Sequence, residues 1–382
     1  GGSWARITKF ADHLTHGVFG LDGALYIVSR DDAPRGKLLR LPAGSSQLAA
    51  AKVVVPQSEA VIEHVLVTKG RLYVRDLLGG VSQLRSFDLN GGAPSLVPVM
   101  PVSTVSEITR GRDEEILFRN VTFVEPAAWY RYAPAGGKAA GQAVKTALMV
   151  TSPVDFSDIE VERHMVTSKD GAKVPLSVLH KKGMALDGKN PTLLTGYGGF
   201  GVSLTPGFSV LRRVWLEQGG VIAIANLRGG GEFGETWHKD GNLLNKQNVF
   251  NDFIACAQHL IDKGVTSPAK LSIQGGSNGG LLMGAALTQR PDLFAAASPR
   301  WRIVDHYEET LNWVGDHAAW CWDFGEVAHL AASGHAHAVT HIATCYHHHE
   351  HYQAEIARAF PANIDLPSAH WDIPVRRCGT MK

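Results

Sequence analysis

The sequence predicts a doubly wound α/β domain on a mostly parallel sheet, preceded by a region of short, repeated β-strands. Three observations carry this. Near residue 150 the hydrophobic pattern changes, from short runs that alternate every second residue to near-continuous apolar strands separated by helical stretches. Between two of those strands lies an apolar face at helical spacing, which supplies a crossover. At 271–285, LSIQGGSNGGLLMGA, an apolar strand runs through Gly275-Gly276-Ser277-Asn278-Gly279-Gly280 straight into an apolar helix.

Residues 1–150 carry the runs Ala24–Val28, Val61–Val67, Arg71–Arg75, Val81–Phe87 and Glu115–Phe118. Turn-forming stretches such as Asp22-Gly23, Asn90-Gly91-Gly92 and Pro134-Ala135-Gly136-Gly137 separate them. Such spacing suits four-stranded propeller blades or a sandwich, and no exact repeat decides between them. Residues 151–297 form the α/β part. Strands are expected at 191–194, 221–225 and 271–273. Val249, Phe250, Phe253, Ile254, Ala257, Leu260 and Ile261 share one helix face, which Gly264 ends. A second helix is expected from Leu281 to Gln289, stopped by Arg290-Pro291. Residues 298–382 differ again: they hold 11 of the 18 histidines and five of the nine tryptophans, with no lysine before Lys382. Their hydrophobic periodicity is poor, and the composition is not that of an ordinary α/β half-domain.

The chain of 382 residues suits two domains rather than one core. With 37 Lys plus Arg against 36 Asp plus Glu, net charge +1, it has no basic surplus for nucleic acid or an anionic membrane. No apolar run reaches the length of a membrane span. The four cysteines show no C-x-x-C pairing, and Cys256 falls on the apolar helix face, which fits a buried free thiol in a cytoplasmic protein. No signal peptide is read, and the chain opens on Gly1 rather than Met.

The chemistry centres on Ser277. G-x-S-x-G between strand and helix is the pattern of a nucleophile elbow, where glycine neighbours leave room for a serine in strained backbone. The alternative, a glycine-rich loop with a chance serine, does not account for the flanking strand and helix. Acyl transfer needs donors for a developing oxyanion. The backbone N–H of Asn278 is the expected first donor. Gly196-Tyr197-Gly198-Gly199-Phe200-Gly201, directly after a strand, is placed to supply a second, and Tyr197 offers a hydroxyl. A phosphate-gripping loop is the other reading of that segment, but it lacks the Gly-Lys-Ser/Thr of a P-loop. The turn Asn226–Gly234 is expected to shape the floor of the same site as a structural turn. His347-His348-His349-Glu350-His351 invites a zinc reading, yet H-E-x-x-H is not met, and no metal or other cofactor is expected.

Together, Lys169–Pro175, His180–Gly183, Gly196–Phe200, Arg228–His238 and Gly275–Gly280 resemble, in order over about 130 residues, the prolyl oligopeptidase family of serine peptidases. Gly-Tyr-Gly-Gly-Phe and Gly-Gly-Ser-Asn-Gly-Gly are similar to its proline-specific rather than its dibasic-cleaving branch. The resemblance implies an α/β-hydrolase domain, doubly wound on a mostly parallel sheet, preceded by part of a β-propeller, with residues 1–150 as its later blades. It implies that Ser277 is the nucleophile, that the Tyr197 hydroxyl and Asn278 N–H bind the oxyanion, and that Phe200 lines the proline pocket. Ala319–Gly325 resembles a family segment whose tryptophan stacks on the substrate proline, making Trp320 a candidate. Ile303-Val304-Asp305 is a further island of similarity. The implied activity is cleavage of short peptides after proline through an acyl-enzyme, by a monomeric cytoplasmic serine peptidase.

The tail departs from the family pattern. Phe360-Pro361-Ala362 with Ala369-His370-Trp371-Asp372 faintly echoes the turn that carries the acid, so Asp372 is the candidate acid. No catalytic histidine is found, because its expected position lies beyond Lys382; a tail histidine such as His317, His329, His335 or His370 does not fit the usual order of Ser, acid, His with Asp372. Residues 298–382 read as a shifted reading frame that preserves a few islands, and the earlier blades are expected to be missing. Two other readings follow: a truncated, non-catalytic chain that binds peptides, and a general α/β-hydrolase esterase, which accounts for the elbow but not for the proline-pocket motifs.

Overall fold

A computed structural model describes residues 6–134 and 141–300. Three four-stranded antiparallel sheets come first, each paired in chain order. The first holds β1 (Leu14–Phe19), β2 (Leu25–Ser29), β3 (Lys37–Leu41) and β4 (Lys52–Val55). The second holds β5 (Val61–Val67), β6 (Arg71–Leu78), β7 (Val81–Asp88) and β8 (Gly91–Leu96). The third holds β9 (Ser103–Arg110), β10 (Ile116–Thr122), β11 (Ala128–Tyr132) and β12 (Ala143–Met149). They stack face to face as propeller blades. Tyr26, Val28 and Leu38 of the first meet Val65, Leu72, Val74 and Phe87 of the second. Tyr73 and Leu84, on the other face of the second, meet Val105, Ile116 and Phe118 of the third. The middle blade is therefore apolar on both faces, which is why Leu72-Tyr73-Val74 reads as a continuous run rather than an alternation.

A six-stranded sheet follows, in the order β13-β14-β16-β15-β17-β18. Its strands are β13 (Ile159–Thr167), β14 (Lys173–Lys181), β15 (Thr192–Gly196), β16 (Val221–Ala225), β17 (Leu271–Gly276) and β18 (Ala296–Arg300). The pairings β16·β15, β15·β17 and β17·β18 are parallel. The pairings β13·β14 and β14·β16 are antiparallel, so two of the five pairings depart from the mostly parallel sheet expected. The helices among the described residues are, in chain order, α1 (Arg212–Glu217), α2 (Glu235–Lys239), α3 (Gln247–Asp262) and α4 (Asn278–Gln289), and both faces of the sheet are covered. On β16, Val221, Ala223 and Ala225 face a core built with α3 (Gln247–Asp262) and α4 (Asn278–Gln289). Ile222 and Ile224 face the opposite side, against Leu216 of α1 (Arg212–Glu217), Phe156 and Phe123. All five are buried, the mark of a strand covered on both sides.

The blades grip the α/β part through loops. The N–H of Gly79, in the β6–β7 turn, donates to the Glu232 carbonyl at 3.0 Å, and the N–H of Glu235 donates to the Pro34 carbonyl at 3.0 Å. The Thr104 hydroxyl donates to the Pro206 carbonyl at 2.6 Å.

Candidate active site

Strands β16, β15 and β17 run parallel and side by side, so the loops after Ala225, Gly196 and Gly276 leave the same edge of the sheet. That carboxyl edge is where open α/β sheets bind ligands. All three glycine-rich segments singled out in the sequence lie on it.

Ser277 has φ 55° and ψ −124°. A non-glycine residue there stores strain on the order of 1–3 kcal/mol. The surroundings enforce it: a β-carbon at Gly275 would stand 2.3 Å from the Gly279 carbonyl oxygen, and one at Gly279 would stand 3.0 Å from that of Gly196. Only bare backbone lets strand and helix close so tightly. The Ser277 carbonyl accepts N–H bonds from Gly280 (2.8 Å) and Leu281 (3.3 Å), so α4 begins at Asn278 rather than at Leu281, where the apolar pattern starts. Ser277 is exposed at the head of this helix, whose first amide groups point out of its N-terminus.

The Tyr197 loop is tied to that head. The Asn278 side-chain amide donates to the Tyr197 carbonyl at 2.5 Å. Cδ2 of the Tyr197 ring lies 3.7 Å from where a Gly279 β-carbon would stand, so the ring sits over the first turn of α4. The ammonium of Lys246 donates to the Gly198 carbonyl at 2.7 Å and to Asn278 Oδ1 at 3.1 Å, and Lys246 is only 8% exposed. Gly198 (φ 63°) cannot be replaced, since its β-carbon would fall 2.2 Å from Val249 Cγ1. Phe200, also left-handed at φ 55°, stands 58% exposed on the same loop.

The turn Asn226–Gly234 lies directly against this loop. The Gly201 N–H donates to the Gly229 carbonyl at 2.9 Å. β-Carbons at Gly229 and Gly231 would approach the carbonyl oxygens of Gly198 and Gly201 to 2.5 and 2.6 Å. Two buried charged groups hold the turn. Arg228 donates to Asp252 of α3 through Nε (2.9 Å) and Nη2 (2.6 Å) and to Asp170, and the Ser168 hydroxyl donates to Asp252 at 2.5 Å. Burial pulls the Arg228 guanidinium down, but its hydrogen bonds to Asp252 and Asp170 more than offset this and hold it above the usual arginine range. Glu232 accepts from the Leu204 N–H at 3.0 Å and from the Asn226 amide at 3.2 Å, both on Oε1, while its buried Oε2 has no hydrogen-bond partner among the described residues.

Burial pushes the Glu232 carboxyl up to about 7, against an ordinary 4.5. An acid raised in the folded state destabilises that state as pH climbs from the unfolded to the folded value, and the deficit is constant above it. Glu232→Gln does not titrate. Its stability relative to wild type is therefore expected to rise between about pH 4.5 and pH 7, by up to about 3 kcal/mol, and then level off. Thermal melts of both proteins at pH 5 and pH 8 check this; an equal gap at both pH values contradicts it.

Lys246 and Asp252 are not singled out by the sequence reading, and Arg228 and Glu232 enter it only as members of the turn Asn226–Gly234 and the segment Arg228–His238, without a role of their own. Asp252 does leave a signal: it falls on the apolar stripe of α3, between Val249 and Phe253, where an unpaired carboxylate does not belong. Trp320, Asp372, the triplet at 303–305 and the cluster 347–351 lie outside the described residues. Among the described residues, no group of three or more His, Cys, Asp or Glu side chains is placed to hold a metal ion. No helix among them is long and apolar enough to cross a membrane. Cys256 is a free, fully buried thiol whose pKa burial pushes well up.

Comparison with known proteins finds one family. The model of the prolyl oligopeptidase family matches residues 206–320, and that of the prolyl oligopeptidase N-terminal β-propeller domain matches residues 13–143. A prolyl endopeptidase of Elizabethkingia meningoseptica is 33% identical over 321 residues, which is 84% of this chain and 44% of that protein. A solved structure from a study of two prolyl endopeptidases and their inter-domain dynamics superposes with a TM-score of 0.67 at 37% identity, over 74% of this chain and 41% of that one. Prolyl oligopeptidase B from Galerina marginata, bound to a 25-residue macrocyclization substrate, gives 0.66 at 26% identity, over 74% and 40%. The chain thus spans less than half the length of the relatives it matches.

Proposed function

The chain belongs to the prolyl oligopeptidase family, and from that premise we propose that it carries the nucleophile and oxyanion site of a serine peptidase that hydrolyses short peptides on the carboxyl side of proline. One observation carries the reading: Ser277 is held in left-handed backbone, exposed at the head of α4, with the Tyr197 loop bonded to the next residue. Ser277 Oγ attacks the scissile carbonyl; the peptide C–N bond breaks, the amine product leaves with the proton that the hydroxyl gives up, and water then hydrolyses the acyl-enzyme, releasing the carboxylic acid product and restoring the Ser277 hydroxyl. The Asn278 N–H and the Tyr197 hydroxyl receive the negative charge that develops on the carbonyl oxygen. Phe200, at the rim, borders the pocket for the proline ring, with Trp320 stacking on it and Asp372 as the acid. Residues 1–150 form the propeller part, whose blades admit only short peptides, and 151–297 the α/β-hydrolase part. The chain acts in the cytoplasm as a monomer.

A fluorophosphonate probe tests the nucleophile. Wild type is expected to take up one label, on Ser277, and to cleave a Gly-Pro reporter only slowly, since no histidine is assigned as its base, while Ser277→Ala does neither. Absence of labelling in a folded wild type overturns the proposal and leaves a chain that only binds peptides; cleavage of simple esters without preference for proline points to a general esterase.

A further inference from the structure

We propose that Lys246 is a positioning residue that locks the Tyr197 loop onto the elbow and so holds the two oxyanion donors in register; this rests on the role proposed for Tyr197 and Asn278. Its ammonium is buried and divides its hydrogen bonds between the two halves of the site: the Gly198 carbonyl on the Tyr197 loop at 2.7 Å and Asn278 Oδ1 on the elbow at 3.1 Å. The Asn278 amide then donates to the Tyr197 carbonyl at 2.5 Å. The result is one chain of bonds, from Lys246 through Asn278 to Tyr197, in which each donor polarises the next.

The position of Lys246 in the fold argues against a merely local duty. It is the N-cap of α3 and makes no side-chain cap bond there. A cation at a helix N-terminus is opposed by the helix dipole, and caps are ordinarily Ser, Thr, Asp or Asn. Lysine is almost never buried unless its charge is compensated. The side chain is spent on the catalytic edge of the sheet, where strand pairing alone leaves the Tyr197 loop free to shift: β15 and β17 pair only as far as Thr195 and Gln274, short of both Tyr197 and Ser277. Beyond that point, the bonds from Asn278 and Lys246 tie the loops together.

Hydrogen exchange on the full chain tests the proposal without calling on turnover. Lys246→Ala and Lys246→Met are expected to raise exchange in residues 196–201 and 277–282 by about tenfold or more, the loss of a hydrogen bond from a charged donor. The C-terminal half of α3, residues 255–262, keeps its protection. Added ethylammonium, which fits the space vacated in Lys246→Ala, restores protection in both loops, and Lys246→Arg retains it in part. Unchanged exchange in the two loops overturns the proposal, as does an increase that extends through α3 or that ethylammonium does not reverse. Fluorophosphonate labelling run alongside separates this failure from that of the proposed activity. A wild type that does not label sinks the nucleophile, while the exchange data still judge Lys246.

Discussion

Asp252→Ala is expected to lower the stability of the α/β part by about 3–5 kcal/mol, the cost of leaving one member of a buried ion pair uncompensated. Asp252 is fully buried and Arg228 only 5% exposed, and the carboxylate accepts from both Nε and Nη2 of the guanidinium as well as from the Ser168 hydroxyl. Asp170, on the solvent side, is 47% exposed and screened, and cannot replace that inner partner. Because the chain has two parts, a single denaturation midpoint is ambiguous. Exchange of the α3 amides between Phe253 and Leu260 reports the right region, and the expected loss is a hundredfold to several-thousandfold in protection, about 3–5 kcal/mol. Removing both charges in an Arg228→Met, Asp252→Ala double variant is expected to recover much of it, since no buried charge then lacks a partner. A single variant as well protected as wild type contradicts the argument. So does a double variant that is worse than either single one.

What the sequence shows and what it hides divide along physical lines. Ser277, Asn278 and Tyr197 stand out as candidates because glycines surround them, and glycine at a strand end reports close backbone approach whatever the tertiary context; Phe200 enters only through the family resemblance. The α3 face was visible because Val249, Phe250, Phe253, Ala257 and Leu260 all bury, as their spacing requires. About half of the blade strands were not. β1 and β12 are mostly exposed, with no fully buried position in either, so neither alternation nor an apolar run marks them. β13, Ile-Glu-Val-Glu-Arg-His-Met-Val-Thr, carries its charges along a sheet edge, and its partner β14 contains Pro175, which argues locally against a strand. Both form because they pair with each other over nine registered positions and β14 with β16 beyond, a non-local gain. The buried charges follow the same logic. Lys246 and Arg228 look like ordinary surface residues until the fold brings carbonyl oxygens and Asp252 around them.

Tyr197→Phe is expected to slow acylation of Ser277 by about a hundredfold to a thousandfold, the usual cost of one oxyanion donor. The substitution removes a single oxygen. The ring keeps its seat over the first turn of α4, and the backbone carbonyl that receives the Asn278 amide is untouched, so melting temperature is expected to stay at the wild-type value. Donors aimed at the developing charge act in the transition state rather than on the bound substrate, so the loss falls on kcat and leaves KM for a Gly-Pro reporter nearly unchanged. Under the role proposed for Phe200, contact with the proline ring in the bound substrate, Phe200→Ala is expected to act in the opposite sense and raise KM. The pair of variants therefore separates the two duties assigned to one six-residue loop. A Tyr197→Phe enzyme with wild-type kcat removes the hydroxyl from the oxyanion site and leaves the Asn278 N–H with some other partner there.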